Sequence, residues 1–198
     1  MDERLLKARN IIFDVGNVLL SFEPEKVVSL LPAEHRDALA QAMFGPDWRW
    51  AAFDLGAETN EEIARSMAKA ARVQGGEDMV LYAFIHFYET MNPLPLYGLI
   101  PELKGMGKRL FALTNYGEPA YSKAREHFPN LRLLEGEVVS SREKICKPDP
   151  RIFHLITSRF SLLPEETLFI DDSKANADSA AALGFQVWHY AENDVLSI

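Results

Sequence analysis

Asn10-Ile11-Ile12-Phe13-Asp14-Val15-Gly16-Asn17-Val18-Leu19-Leu20 is the stretch whose reading decides the fold. Its first residues form a compact apolar run, as expected of a strand covered on both faces, and a carboxylate at Asp14 closes it. Two further runs repeat the pattern. Arg109–Thr114 ends on a hydroxyl, and Thr167–Asp171 ends on an acid followed by Asp172. Val138–Ser140 and Phe185–Tyr190 are weaker strands by the same criterion. Helical patterns lie between them. Asp149 is placed to cap a helix with Pro150 at its first position, and Ile152, Phe153, Ile156 and Phe160 follow at helical spacing. The alanine-rich Lys174–Leu183 closes on Gly184, while Tyr97–Met106 and Glu118–Phe128 also read as helices. Strand alternating with helix predicts an α/β fold, a parallel sheet with helices on both faces.

Between Pro24 and Met91 that alternation stops, and only helical patterns remain. Thr59 and Glu62 form a capping-box pair ahead of Ile63, Met67 and Ala70. Phe84, Phe87 and Met91 make one apolar stripe and Leu81, Ile85 and Tyr88 another, so that helix is expected to pack on two sides. The segment reads as a helical insert between the first and second strands. Its aromatic cluster, Trp48, Trp50 and Phe53 with Arg49 between, either packs inside the insert or faces a ligand.

Bulk properties narrow the function. The chain has 198 residues, 47% of them apolar or aromatic and 25% charged, enough for one domain with a real core and a small insert. A net charge of −8 disfavours nucleic acid and anionic membrane surfaces as partners. The single Cys146 permits no intrachain disulfide, has no paired histidine motif, and suits a reducing compartment. The apolar run Ile11–Phe22 is too short to span a bilayer and lacks a small-residue cleavage site. A soluble, cytoplasmic protein is the expectation. The five histidines show no metal-ligand spacing, and His86 reads as a packed residue.

Ligands of open α/β sheets bind at the carboxyl ends of the strands, where Asp14, Thr114 and Asp171 are expected to lie. Asp14, Asp171 and Asp172 would concentrate negative charge there, and like charges at short range need compensation. Mg²⁺, which takes carboxylate, water and phosphate oxygens, supplies it. Lys147, in Lys147-Pro148-Asp149-Pro150, adds a second positive charge, and Thr114 and the amide of Asn115 can donate to further oxygens. Such a set suits a phosphoryl group attacked by the Asp14 carboxylate, giving an aspartyl-phosphate that water hydrolyses.

Taken together and in order, the four motifs Phe13-Asp14-Val15-Gly16-Asn17-Val18, Leu113-Thr114-Asn115, Lys147-Pro148-Asp149-Pro150 and Ile170-Asp171-Asp172 resemble those of the haloacid-dehalogenase-like hydrolase superfamily. The resemblance implies a Rossmann-like core at residues 1–22 and 93–198 and an inserted α-helical cap at 23–92. It implies that Asp14 is nucleophile and metal ligand and that Gly16 offers its carbonyl to the metal. Thr114, Asn115 and Lys147 would bind the phosphoryl group, and Asp171 and Asp172 would complete the Mg²⁺ site, with Asp172 the preferred direct ligand. The Asp-x-Gly-Asn form resembles a subgroup that includes sugar-1-phosphate phosphatases. A Mg²⁺-dependent phosphomonoesterase for a small phosphorylated metabolite, a sugar phosphate among the candidates, is therefore expected.

One position departs from the superfamily pattern. Most of its phosphatases carry a second aspartate where this chain has Gly16, as acid for the leaving group and base for water. General acid–base catalysis is worth about 10²–10⁴-fold, so a slow or selective enzyme is expected. Glu23 and Asp54 are candidate replacements from the insert. Gly16 also keeps two other readings open, a metal-free 2-haloacid dehalogenase and a non-catalytic phospholigand-binding member.

Overall fold

The computed structural model describes residues 2–47 and 49–191. At its centre five parallel strands run in the order β3-β2-β1-β4-β5: β1 Asn10–Phe13, β2 Arg109–Thr114, β3 Gly136–Val139, β4 Thr167–Asp171 and β5 Gln186–His189. Every residue of β1 and β4 is buried, and so is β2 beyond Arg109. Alternate side chains of these strands enter different cores, as the period of a strand requires. Ile11, Phe13, Leu110, Ala112, Leu168 and Ile170 face one core. Ile12, Phe111, Leu113 and Phe169 face the other, where Ile152, Phe153, Ile156 and Ala180 cover them. The two weaker strands are the sheet's edges, β3 and β5. An edge strand needs less apolar surface, and β5 exposes Gln186 and His189 accordingly.

The helices follow their sequence signals closely. Asp149 accepts a bond from Arg151 N at 2.9 Å and caps the helix Pro150–Phe160. Lys174–Ala182 ends ahead of Gly184, whose φ of 87° only glycine adopts easily. The remaining two start beside prolines: Pro95–Gly105, and Ala120–His127 directly after Pro119.

Among the described residues from 24 to 91 there are helices and no strand. The chain leaves the sheet through Leu20 and returns through Pro93, which pair antiparallel. Ser21 N donates to Asn92 O and Leu94 N to Leu19 O, each at 2.9 Å, so the two crossings are tied together. The capping box forms: Glu62 N donates to Thr59 Oγ1 at 3.2 Å and Thr59 N to Glu62 Oε2 at 2.9 Å. The buried face of that helix is Ile63, Ala64, Met67 and Ala68, while Ala70 is exposed. The stripe Phe84, Phe87 and Met91 is buried; Leu81, Ile85 and Tyr88 are only half-buried. Its apolar residues join the first core without a break, so the insert and one face of the sheet share a single interior.

Because the Thr59 hydroxyl satisfies an otherwise orphaned helix amide, Thr59→Ala should cost about 1 kcal/mol. At this chain length that lowers the thermal midpoint by roughly 2–4 °C, measurable by calorimetry.

Candidate active site

The strand register brings the acids together. Phe13 pairs with Ile170, and Asp14 N donates to Ile170 O at 2.9 Å, so Asp14 and Asp171 leave adjacent strands side by side. Carboxylate oxygens of Asp14, Asp171 and Asp172 lie within 4.8 Å of one another. The order of strands reverses at β1, with β2 on one side and β4 on the other, which is the switch point where such sheets bind ligands.

Lys147 enters this cluster with its side chain fully buried. Its Nζ lies 2.9 Å from Asp14 Oδ1 and 2.7 Å from Asp171 Oδ2. Asn115 sets the lysine in place, accepting from Lys147 N at 2.8 Å and donating to Lys147 O at 3.0 Å. That pairing uses the Asn115 side-chain oxygen and one of its two Nδ2 hydrogens, and Asn115 also lines the cavity beside Asp14. Asp171 is also fully engaged. Beyond Lys147, it accepts from Ser173 N at 2.8 Å and Asn176 Nδ2 at 3.0 Å, both on Oδ1. Asp172 is more open, with one donor at Oδ2, Asn17 Nδ2 at 3.2 Å. Thr114 Oγ1 is buried and has no hydrogen-bond partner.

Electrostatics follow from crowding. Burial pushes the Asp14 carboxyl up to about 7; Lys147 pulls it down, and Asp171 and Asp172 push it further up. Burial also raises Asp172, with the charge of Asp171 adding to it against the bond from Asn17. Burial would lower Lys147, but Asp14 and Asp171 outweigh it and hold the ammonium above its ordinary value. The donors are all oxygens and carry surplus negative charge, which fits a hard divalent cation such as Mg²⁺. Gly16 lies on the same cavity wall.

Asp14 and Asp172 open on a cavity of about 160 Å³. Its far walls are Phe22, Trp50, Phe87, Met91 and Tyr116, with Asp54 among them. The Trp50 and Phe87 rings stand 5.2 Å apart, and Phe87 stacks on Tyr116 at 5.0 Å. The aromatic cluster of the insert thus divides. Trp50 lines the cavity, Phe53 is buried core stacked on Phe84, and Arg49 turns to Ser66 Oγ at 2.7 Å. Trp48 lies outside the described residues. Glu23 is paired with Lys26 at 2.6 Å and lines an adjoining outer depression, which meets this cavity at Asn17, Phe22 and Asp172. His86, expected to be packed, is half-buried at the surface, stacking on the exposed Tyr82 and bonding to Glu89. Cys146 is half-buried, and burial raises its thiol.

Three site residues escaped the sequence reading. Asn17, at φ 55°, folds the turn after Asp14, accepts from Phe22 N at 2.9 Å and reaches Asp172. Asparagine directly after glycine at a strand end was the available signal, because it tolerates this left-handed backbone. Asn176, buried in an alanine-rich helix, orients Asp171. Tyr116 carried no signal beyond its place after Asn115.

With the geometry in view, the comparisons agree on one family. Residues 8–184 match the family model for haloacid dehalogenase-like hydrolases. The chain belongs to that family. It is 30% identical over 186 residues to mouse acyl-CoA dehydrogenase family member 10, covering 89% of this chain but only 17% of that relative. It is 25% identical to the sesquiterpene phosphatase astK of Aspergillus oryzae, over 92% of this chain and 89% of that one. Among solved structures, a haloacid-dehalogenase family enzyme of Bacteroides thetaiotaomicron, in complex with magnesium and inorganic phosphate, superposes with a TM-score of 0.79 at 21% identity. That match covers 96% of this chain and 98% of the other. Among the described residues no helix is long and apolar enough to cross a membrane.

A raised Asp14 binds a proton in the folded state that the unfolded chain releases near 3.8, so the metal-free cluster loses stability as pH rises from about 4 to 7. A cation competes with that proton. The rise in thermal midpoint on adding Mg²⁺ to chelator-treated protein should therefore be larger at pH 8 than at pH 5. No rise at either pH would show that these carboxylates hold no cation, and an equal rise at both would show that no proton competes with the cation there.

Proposed function

We propose that the protein is a Mg²⁺-dependent phosphomonoesterase acting on a small phosphorylated metabolite through an aspartyl-phosphate on Asp14. The observation that carries this reading is a nucleophilic carboxylate at the floor of a cavity, beside a buried lysine and two further acids. Asp14, the Gly16 carbonyl and Asp172 are the residues to hold the cation, with Asp171 fixed behind them by its three donors. When bound, Mg²⁺ supplies charge neutralisation at the transferring phosphoryl group.

The chain's own residues do the rest. Lys147 draws Asp14 towards ionisation and offers positive charge to the phosphoryl oxygens. The Thr114 hydroxyl, buried without a partner, gains one when a phosphoryl oxygen arrives; an unmet buried hydroxyl costs about 1–3 kcal/mol. Asn115 keeps Lys147 in register. Ionised Asp14 attacks phosphorus, the ester oxygen departs into the aromatic cavity, and water then cleaves the acyl phosphate. The astK relative and the phosphate-bound neighbour support a phosphorylated substrate.

The cavity describes the leaving group. An apolar cavity of about 150 Å³ accepts benzene, so this one suits a compact group of similar size. Its aromatic walls favour one with an apolar face, such as a sugar ring stacked on Trp50 or the end of an isoprenoid chain. The cavity is open on one side, so a longer chain, such as the fifteen carbons of a sesquiterpene, would extend out of it.

The test is phosphate release from a panel of phosphorylated sugars, short prenyl alcohols and acids, with and without Mg²⁺. Release should require Mg²⁺ and fall to background in Asp14→Asn. Halide release from 2-chloropropionate by metal-free protein, with no phosphate release from any ester, would overturn the proposal in favour of a dehalogenase.

A further inference from the structure

Position 16, where most phosphatases of the superfamily carry the acid for the leaving oxygen, has no side chain in this chain. Resting on the phosphomonoesterase reading, we propose that Asp54 of the helix Trp50–Leu55 is the catalytic general acid for the leaving group and then the base for water. Asp54 lines the same cavity as Asp14. Of the described residues that the insert contributes to that cavity, Asp54 alone is ionisable. No described group hydrogen-bonds to its carboxyl, so the acid is uncommitted. Glu23, the other carboxylate considered, is half-exposed beside Lys26 and lines the adjoining depression rather than the cavity itself.

The structure also fixes where Asp54 stands. Ser140 Oγ, at the end of β3, donates to Asp54 O at 2.5 Å and accepts from Tyr116 N at 2.9 Å. One hydroxyl thereby ties the acid's main chain to the loop after β2. Two residues on, Lys144 Nζ donates to Gly56 O. Gly56 lies so close to the core that a Cβ there would stand 2.7 Å from Ser141 O. Phe53, the preceding residue, presses on Gly117, where a Cβ would meet its ring at 2.2 Å. Residues on both sides of Asp54 are thus seated on the core rim, and Asp54 between them lines the cavity that Asp14 shares. Burial, and next the charge of Asp14, hold this carboxyl well above the usual range despite Lys147, which suits a donor that must arrive protonated.

Atoms balance through both steps. Asp14 Oδ bonds to phosphorus as the P–O bond to the leaving group breaks, and the Asp54 proton passes to that oxygen, releasing an alcohol. Water then attacks the same phosphorus and gives its proton to Asp54. The bond between phosphorus and Asp14 breaks, phosphate leaves, and both aspartates return to their starting states.

The experiment compares Asp54→Asn with native protein over a series of phosphate monoesters from alkyl to 4-nitrophenyl, in Mg²⁺. Alkyl esters need a proton on departure and should lose about 10²–10⁴-fold in kcat/KM, whereas the 4-nitrophenyl ester should lose far less. The plot of log kcat/KM against leaving-group pKa should therefore steepen. That slope does not depend on how much of the variant is folded, so it separates lost proton transfer from lost structure. An unchanged slope, with or without a uniform fall in rate, would overturn the assignment while leaving the phosphatase intact. If native protein releases phosphate from no ester, the phosphomonoesterase reading fails and the assignment fails with it.

Discussion

The ammonium of Lys147 sits within 2.9 Å of one carboxylate and 2.7 Å of another, with no solvent at its side chain. Removing a charge from water costs several kcal/mol, and only close opposite charges repay it. Lys147 therefore fixes the distance between the ends of β1 and β4 as firmly as any ladder bond. The arrangement also carries a surplus. Three carboxylates face one ammonium, and the imbalance, registered in the raised Asp14, is what makes the site receptive to a cation. Asn115, Ser173 and Asn176 belong to the same construction, since each holds the lysine or its acid in place.

A second constraint joins the insert to the sheet. The acidic cluster and its lysine come from the sheet's strand ends and the segment leading into the helix Pro150–Phe160, whereas part of the cavity wall above them comes from the helical segment. Their meeting is close: Gly56 on Ser141, Phe53 on Gly117, and a shared hydroxyl at Ser140. The continuous apolar interior makes the two parts one packed body on that side. Shape and charge at the leaving-group end are thus set by side chains whose positions depend on contacts across this seam.

Much of this was legible in the sequence, and the reasons are local. β1, β2 and β4 announced themselves because burial on both faces demands unbroken apolar runs. The edge strands were fainter because one of their sides has no neighbour. The Asp149 and Thr59 caps were readable because capping needs particular side chains at fixed offsets. The gathering of Asp14, Thr114 and Asp171 followed from strand ends meeting at one rim. What could not be read depended on tertiary seating. Nothing local says that Trp50 lines the cavity while Phe53 packs inward, that the Asn115 side chain pairs with the Lys147 main chain, or that Asp54 lines the cavity while Glu23 lines the depression beside it. The exposed Ala70 is a similar case: the helix turned by one residue to present Ala64 and Ala68.

Gly16 is not a packing necessity. A Cβ there would meet only Phe22 Cβ, at an ordinary 3.9 Å, so the core keeps space beside the nucleophile that it does not fill. On the proposed mechanism the sheet contributes the attacking group and the insert contributes the proton, two halves of one reaction encoded in separate stretches of chain. Exchanging the insert for another would then alter substrate choice and protonation in a single event. Variation in the insert is therefore constrained by chemistry as well as by fit, which is a heavier restraint than a selectivity element alone would bear.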